Sequence, residues 1–141
     1  MTSGTRILLT FLFIAAGWQA MATETGRLQP CPNSPNCVST RAEPGRSRME
    51  PMRVSTSAKV AREKLLAVLR SMDRCTVVAA EPLYIHAEFR SPVFRFIDDV
   101  EFEINEETRT IDFRSAARTG WYDFNVNRRR MEEIRKRFAD R

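Results

Sequence analysis

Between Leu83 and Arg114 the apolar residues return at every second position: Leu83, Ile85, Ala87 and Phe89, then Val100, Phe102 and Ile104, then Ile111 and Phe113. Polar side chains fill the alternate places, Tyr84, His86, Glu88 and Arg90 in the first segment, Glu101 and Glu103 in the second, Asp112 and Arg114 in the third. Successive strand residues point to opposite faces, so this spacing predicts antiparallel strands with one buried and one wet face. Cys75–Ala80 adds a short β-branched run. Before these strands, Ala58, Ala61, Leu65, Val68, Leu69 and Met72 recur three and four residues apart behind the capping run Ser55-Thr56-Ser57, which predicts a helix over about 57–72. After them, Met131, Ile134 and Phe138 predict a closing helix over about 126–138. Met49–Val54 can supply an early strand, at an edge because of Pro51. The expected fold is a two-layer α+β domain, an antiparallel sheet of four to five strands with two helices on one face, in the order β-α-β-β-β-β-α.

The chain opens with Arg6, the apolar run Ile7 to Ala16 and the small-residue site Ala20-Met21-Ala22. Together these form a secretory signal peptide over 1–22, and export to the periplasm or beyond follows from it. An uncleaved segment anchoring the chain to the inner membrane is the alternative; the apolar run is about half the roughly 20 residues a spanning helix needs. Residues 23–45, rich in Pro, Ser, Asn and Gly, form an irregular arm. Residues 46–141 form the single α+β domain. Beyond residue 22 the chain has 22 basic and 18 acidic side chains, and the stretch from Arg128 onward holds seven basic against three acidic ones, which accounts for the whole excess. A basic terminal helix suits an anionic lipid head group, a polyanionic ligand or an acidic envelope protein, whereas export argues against nucleic acid; a solvated helix face is the plainer reading.

Cys31 and Cys37 enclose five residues, two of them prolines. In an oxidising compartment that spacing suits a disulfide staple, which the loop-entropy model values at about 2.4 kcal/mol. A redox-active pair favours the tighter C-x-x-C spacing and a helix N-terminus, which this segment lacks. Cys75 is expected as a buried free thiol. His86 is the single histidine, beside Glu88 on the polar face of its strand, and two thiols with one histidine make no zinc pattern. No metal and no cofactor are therefore expected.

Asp98 and Asp99 fall on opposite faces of a strand and cannot flank one substrate. If the loop Asn105-Glu106-Glu107-Thr108 pairs Ile104 with Arg109, Asp99 meets Arg114 across the wet face and Asp98 lies opposite Ser115. Asp98 then turns to the core side, where its donor is Ser115 or the amides near Asn125 to Asn127.

Three separated motifs, CPNSPNCV at 31–38, SPVFRFIDDVEFE at 91–103 and IDFRSAARTGWYDFNVNRRRMEEIRKRF at 111–138, resemble the bacterial and plastid family called domain of unknown function 1499. The family pattern runs from Cys-Pro-x-Ser-Pro-Asn-Cys-Val through Asp-Asp-Val and Arg-Ser-x-Ser-Arg to Asn-Arg-x-Arg, and the resemblance spans about residues 28–138. It implies envelope residence and a fold, but no reaction, cofactor or substrate. Here Ala117 stands where the family has a second serine, and Asn125 where it has a glycine before Val126, so the turn into the last helix is expected to differ.

The densest polar chemistry lies within that resemblance. Arg114, Ser115, Arg118, Asn127 and Arg130 are the candidates for holding an anion near a strand end and a helix N-terminus. The competing reading is a structural latch in which Asp98 and Asp123 occupy the arginines and cap the helix, Asp99 being a further structural polar residue through its cross-strand pair. Trp121 and Tyr122, in the loop before that helix, either clamp a ligand, rest at a membrane interface or pack beneath the helix.

Three functional readings follow. The first is a noncatalytic binding or interaction domain of the envelope; the second is a hydrolase or isomerase acting through Asp98, Asp99 or His86; the third is a structural periplasmic protein whose polar motif is only the latch. The absence of a nucleophile elbow, phosphate loop or dinucleotide fingerprint weighs against the second. The processed protein is expected to begin at Thr23, which N-terminal sequencing of a periplasmic extract checks. Recovery solely in the membrane fraction with Met1 or Thr2 at the N-terminus contradicts cleavage.

Overall fold

In a computed structural model, which describes residues 26–141, the period-two segments pair into one antiparallel sheet. The expected signal peptide over residues 1–22 and its expected cleavage site lie outside the described residues. The strands are β1 (Cys37–Ser39), β2 (Met52–Arg53), β3 (Cys75–Ala80), β4 (Tyr84–Arg90), β5 (Ile97–Asn105) and β6 (Thr110–Ala117); the helices are α1 (Ala58–Arg70) and α2 (Val126–Ala139). The sheet runs β1-β6-β5-β4-β3, and β2 joins the same edge of β6 further along. The α+β class and the two helices are as the periodicity predicts. The sheet has six strands because the arm, irregular as far as Asn36, supplies β1: Cys37, Val38 and Ser39 pair with Ala116, Ser115 and Arg114. Three residues are too few for alternation to register, so this strand leaves no periodic trace.

α1 begins where Ser57 accepts the amide of Val60 at 3.4 Å, and its apolar stripe of Ala61, Leu65, Val68 and Leu69 is fully buried. Those side chains pack with Met131, Ile134 and Phe138 of α2 over Ile85, Ala87, Val100, Phe102, Ile111 and Phe113, the inward positions of β4, β5 and β6. At about 1.5–3 kcal/mol for each large side chain buried, this layer supplies most of the driving force for folding.

The β5–β6 register is displaced by two residues from the expected one. Ile104 pairs with Ile111 and Asn105 with Thr110, so the loop is Glu106–Arg109. Two local features fix it: the Asn105 side chain accepts the Thr108 amide at 3.0 Å, and Arg109 takes a left-handed conformation (φ 53°) that closes the turn. An even displacement leaves every side chain on its face but changes its neighbour. Arg114 therefore stands opposite Glu101, while Asp99 stands opposite Ala116 and Asp98 opposite Ala117.

One end of the sheet gathers four connections: the disulfide turn before β1, the α1–β3 turn, the β4–β5 loop and the β6–α2 loop. The pairing of Asp98 with both Phe89 and Ala117, and of Cys75 with Phe89, places them together. Cys31 and Cys37 form the expected disulfide in that turn, with Cα atoms 5.7 Å apart, and Cys75 is a free, partly buried thiol.

Candidate functional site

The sheet divides the sequence-derived candidates into two groups. On the helix side lie Asp98, Ser115, Asn127 and Arg130. On the outer face lie His86 with Glu88, Asp99, Arg114 and Arg118, and there they meet Glu101, which the sequence does not single out. Arg114 and Arg118 thus do not converge with Ser115, Asn127 and Arg130 on one point.

On the helix side the organising group is Asn127, fully buried in the first turn of α2. Its amide nitrogen donates to the backbone carbonyl of Asn36 (3.1 Å) and to Asp123 Oδ2 (2.8 Å). Its oxygen accepts from Ser115 Oγ (2.5 Å) and Arg130 Nη1 (2.7 Å). An amide has two donors and two lone pairs, and all four are used. Arg130 then carries the network onward to Asp98 at 2.6 Å and lies over the Phe89 ring, 4.7 Å from its centroid. Asp98 is on the core side as expected, but its partner is this guanidinium rather than Ser115 or the helix amides. Those amides belong to Asp123, whose carboxylate accepts from the backbone of Asn125 (3.0 Å) and Asn127 (2.9 Å). A negative charge there also suits the positive end of the helix.

Asn125 lies in the left-handed region (φ 61°). Of the residues with a side chain, asparagine is among those that best tolerate this conformation. Asn36 was not legible as a functional residue. It is buried, its carbonyl also accepts the Ala117 amide (3.1 Å), its side chain donates to the Gly120 carbonyl, and Ser34 Oγ donates to its Oδ1 (2.6 Å). Its place beside Cys37 in CPNSPNCV does not announce this role, which the turn creates.

On the outer face the charges pair across strands. Asp99 meets Arg118, which donates through Nε (2.6 Å) and Nη2 (2.7 Å), and His86 Nε2 (2.7 Å). It does not pair with Arg114, whose partner is the buried Glu101 at 3.1 Å. His86 is accordingly held by Asp99 across the strand pair rather than by Glu88, which accepts from Arg118 at 2.5 Å. Burial alone pushes the Asp99 carboxyl up, but the hydrogen bonds from Arg118 and His86 outweigh it and hold the group below the usual carboxylate range. The Tyr84 phenol is pushed up by burial and by donating to Glu101 at 2.8 Å. The arm completes this face, Arg41 reaching Glu103 (3.2 Å) and Asp112 (3.5 Å).

The groups proposed for acid–base chemistry are separated: the sheet lies between Asp98 and the His86–Asp99 pair. Burial also pushes the Cys75 thiol up to about 11 against the opposing pull of Arg130, which leaves it a poor nucleophile at neutral pH. Among the described residues no group of three or more His, Cys, Asp or Glu side chains could hold a metal ion. Trp121 and Tyr122 are both exposed, so neither packs beneath α2; Tyr122 instead meets Arg46, which donates to its hydroxyl at 2.7 Å.

The three motifs thus meet in one structure: the disulfide turn through Asn36, the Asp-Asp strand through Asp98, and the Asn-Arg helix start through Asn127 and Arg130. The sequence profile of the family described as Protein of unknown function (DUF1499) matches residues 27–138. The chain belongs to this family. No curated protein and no solved structure matches it. Membership in DUF1499 accounts for the joint presence of the motifs, and the Asn127 network gives their physical connection.

Replacing Asn127 with Ala leaves Ser115, Arg130 and the Asn36 carbonyl short of partners and is expected to cost at least about 1–3 kcal/mol by denaturant unfolding. Asn127→Asp keeps the size but turns an acceptor toward Asp123 and the Asn36 carbonyl; it is expected to cost at least as much at neutral pH. Equal stability of Asn127→Asp and the parent contradicts the assigned amide orientation. A second expectation concerns pH. Because folding lowers the Asp99 pKa, its contribution is complete above the unfolded value near 4 and is lost as pH falls through the depressed folded value. Asp99→Asn should therefore be less stable than the parent at neutral pH, and the two should converge in acid; a difference that persists unchanged in acid rules out this carboxylate as its source.

Proposed function

We propose that the protein is a noncatalytic binding domain of the bacterial envelope that holds an anionic group of a ligand or partner. The observation that carries this reading is a cleft of about 450 Å³ at the gathered end of the sheet, lined by Arg74, Arg90, Arg129, Arg130 and Arg137 and by only three carboxylates. Guanidiniums in excess over local acids favour phosphate and carboxylate ligands, which they bind through paired N–H groups.

Of the candidates from the sequence, Arg130 lines this cleft. Ser115 and Asn127 are engaged inside the fold, and Arg114 and Arg118 are engaged by carboxylates on the outer face, which supports the latch reading for those four. The latch and the binding reading are compatible: the buried network positions the start of α2, and α2 presents Arg129, Arg130 and Arg137 to the cleft. The sheet separates Asp98 from His86 and Asp99, and the Asp99 carboxylate is already engaged by Arg118, which weighs against a hydrolase or isomerase site built on these residues.

Titration of the protein with inorganic phosphate tests the reading. Arg129→Glu is expected to weaken phosphate binding several-fold while leaving the melting temperature nearly unchanged, since Arg129 is exposed and its guanidinium donates to the Phe124 carbonyl. Arg118→Ala should leave phosphate binding intact. Absence of anion binding by the parent, or equal binding by Arg129→Glu, overturns it.

A further inference from the structure

Seven of the ten large apolar side chains exposed among the described residues fall in two short stretches, 93–96 and 121–126. Phe94 is 75% exposed, Phe96 54%, Trp121 69% and Phe124 74%. Single exposed apolar residues are ordinary, but a concentration of aromatics on one end of a domain is not. The two stretches are the β4–β5 and β6–α2 loops. Both leave the sheet at the same end, where the Arg118 amide donates to the Ile97 carbonyl at 3.0 Å.

The backbone holds these rings outward at a cost. Arg95, between Phe94 and Phe96, has φ 55°, and Phe124 has φ 54°, both in the left-handed region that residues with side chains rarely adopt. With Arg95 so placed, the Phe94 and Phe96 rings stack on each other, 5.5 Å between centroids, while Tyr122 and Phe124 meet edge to face at 5.1 Å. Neither pair is covered by the core.

The same end is basic. Arg95 sits between the two phenylalanines, and the arginine cleft opens between Ser91 and Pro92 of one loop and Val126 and Arg129 at the start of α2. The only acidic side chain within the two loops is Asp123, which is spent on the α2 amides. Projecting aromatic tips beside a cleft lined with guanidiniums match a surface that offers apolar depth and phosphate at one level. A phospholipid interface has both, with Trp, Tyr and Phe settling at its headgroup boundary and arginines meeting its phosphates.

We infer that this end of the sheet docks on an anionic phospholipid bilayer, with Phe94, Phe96, Trp121 and Phe124 entering the interface and Arg74, Arg95 and Arg129 meeting lipid phosphates. The inference rests on the reading of the arginine cleft as an anion site and adds what carries the anion.

The test uses the exported, processed protein with vesicles of phosphatidylcholine and of phosphatidylcholine mixed with phosphatidylglycerol. The protein is expected to sediment with the mixed vesicles, less so as salt is raised. Trp18 lies within residues 1–22, which processing is expected to remove, so Trp121 is the one tryptophan of the processed chain and its emission should shift to the blue on binding. That shift should vanish in Trp121→Phe. The double variant Phe94→Ser/Phe96→Ser is expected to bind roughly tenfold or more weakly, and Arg95→Glu several-fold more weakly, each with the melting temperature of the parent. Equal binding to both vesicle types, no blue shift, or unchanged binding by both loop variants overturns the inference. If vesicles are not bound while phosphate binding remains sensitive to Arg129→Glu, the bilayer falls and the anion site stands; if neither is bound, both fall. A photo-crosslinker at position 94 that captures a protein instead of lipid in cells also overturns it.

Discussion

Everything that distinguishes this fold from a plain sheet with two helices passes through the side chain of Asn127. A buried amide is costly unless its donors and lone pairs are met, and here each is met by a different part of the chain: the arm at Asn36, β6 at Ser115, the β6–α2 loop at Asp123 and α2 itself at Arg130. Hydrophobic burial brings these segments near one another but is indifferent to small displacements. The amide is not, because a shift of an ångström breaks several bonds at once. It therefore fixes where α2 begins, and with it the direction in which Arg129, Arg130 and Arg137 face.

The two faces of the sheet reach stability by different means. The helix side is a packed apolar layer into which the Asp98–Arg130 pair is sunk, each side chain only about one-eighth exposed, 13% and 11%. An isolated charge at that depth is expensive, so the worth of the pair lies in the penalty for losing either member. Among the described residues the outer face has no second layer of helices. Its strands carry Tyr84, His86, Glu101, Asp99 and Arg114 in place of an apolar surface, and the arm adds Arg27, which lies 4.0 Å from the centroid of the Tyr84 ring. Pairs such as Arg118–Asp99, with the arginine 41% exposed, are screened by water and contribute modestly one at a time. Their collective effect is to satisfy a half-covered sheet face without making it sticky.

The layout of helices and strands was legible because period two and period 3.6 are long signals, carried by many residues in β4, β5, β6, α1 and α2. What failed was short-range and depended on backbone geometry. β1 is three residues long and is defined by what it pairs with. The β5–β6 register turned on Arg109 adopting a left-handed conformation, which nothing in the arginine side chain announces. That displacement by two residues moves Arg114 from Asp99 to Glu101 while leaving the faces themselves unchanged, so Asp98 keeps the core side but not Ser115 as its cross-strand neighbour. Among the site residues, Asp123 as the group that caps α2 and Ser115 with Asn127 as neighbours were within reach of the motif. Glu101 and Asn36 were not, since their roles are created by register and by a turn.

The division of the arginines follows from the same geometry. Arg114 and Arg118 leave β6 and the residue just after it on the outer side, where carboxylates of β4 and β5 already wait at cross-strand distance. Arg130 faces inward and is shared between Asp98 and Asn127. Arg74, Arg95 and Arg129 lie instead on turns and on the exposed side of the first turn of α2, and among the described residues they have no carboxylate within ion-pair distance. The arginines of the family motifs thus divide in two: the buried ones build the scaffold, and that scaffold carries Arg95 and Arg129, with Arg74, to the surface beside five exposed aromatic rings. For the proposed docking, a change in the buried network is expected to lower stability first and binding only through it, whereas a change in the loop tips is expected to lower binding alone.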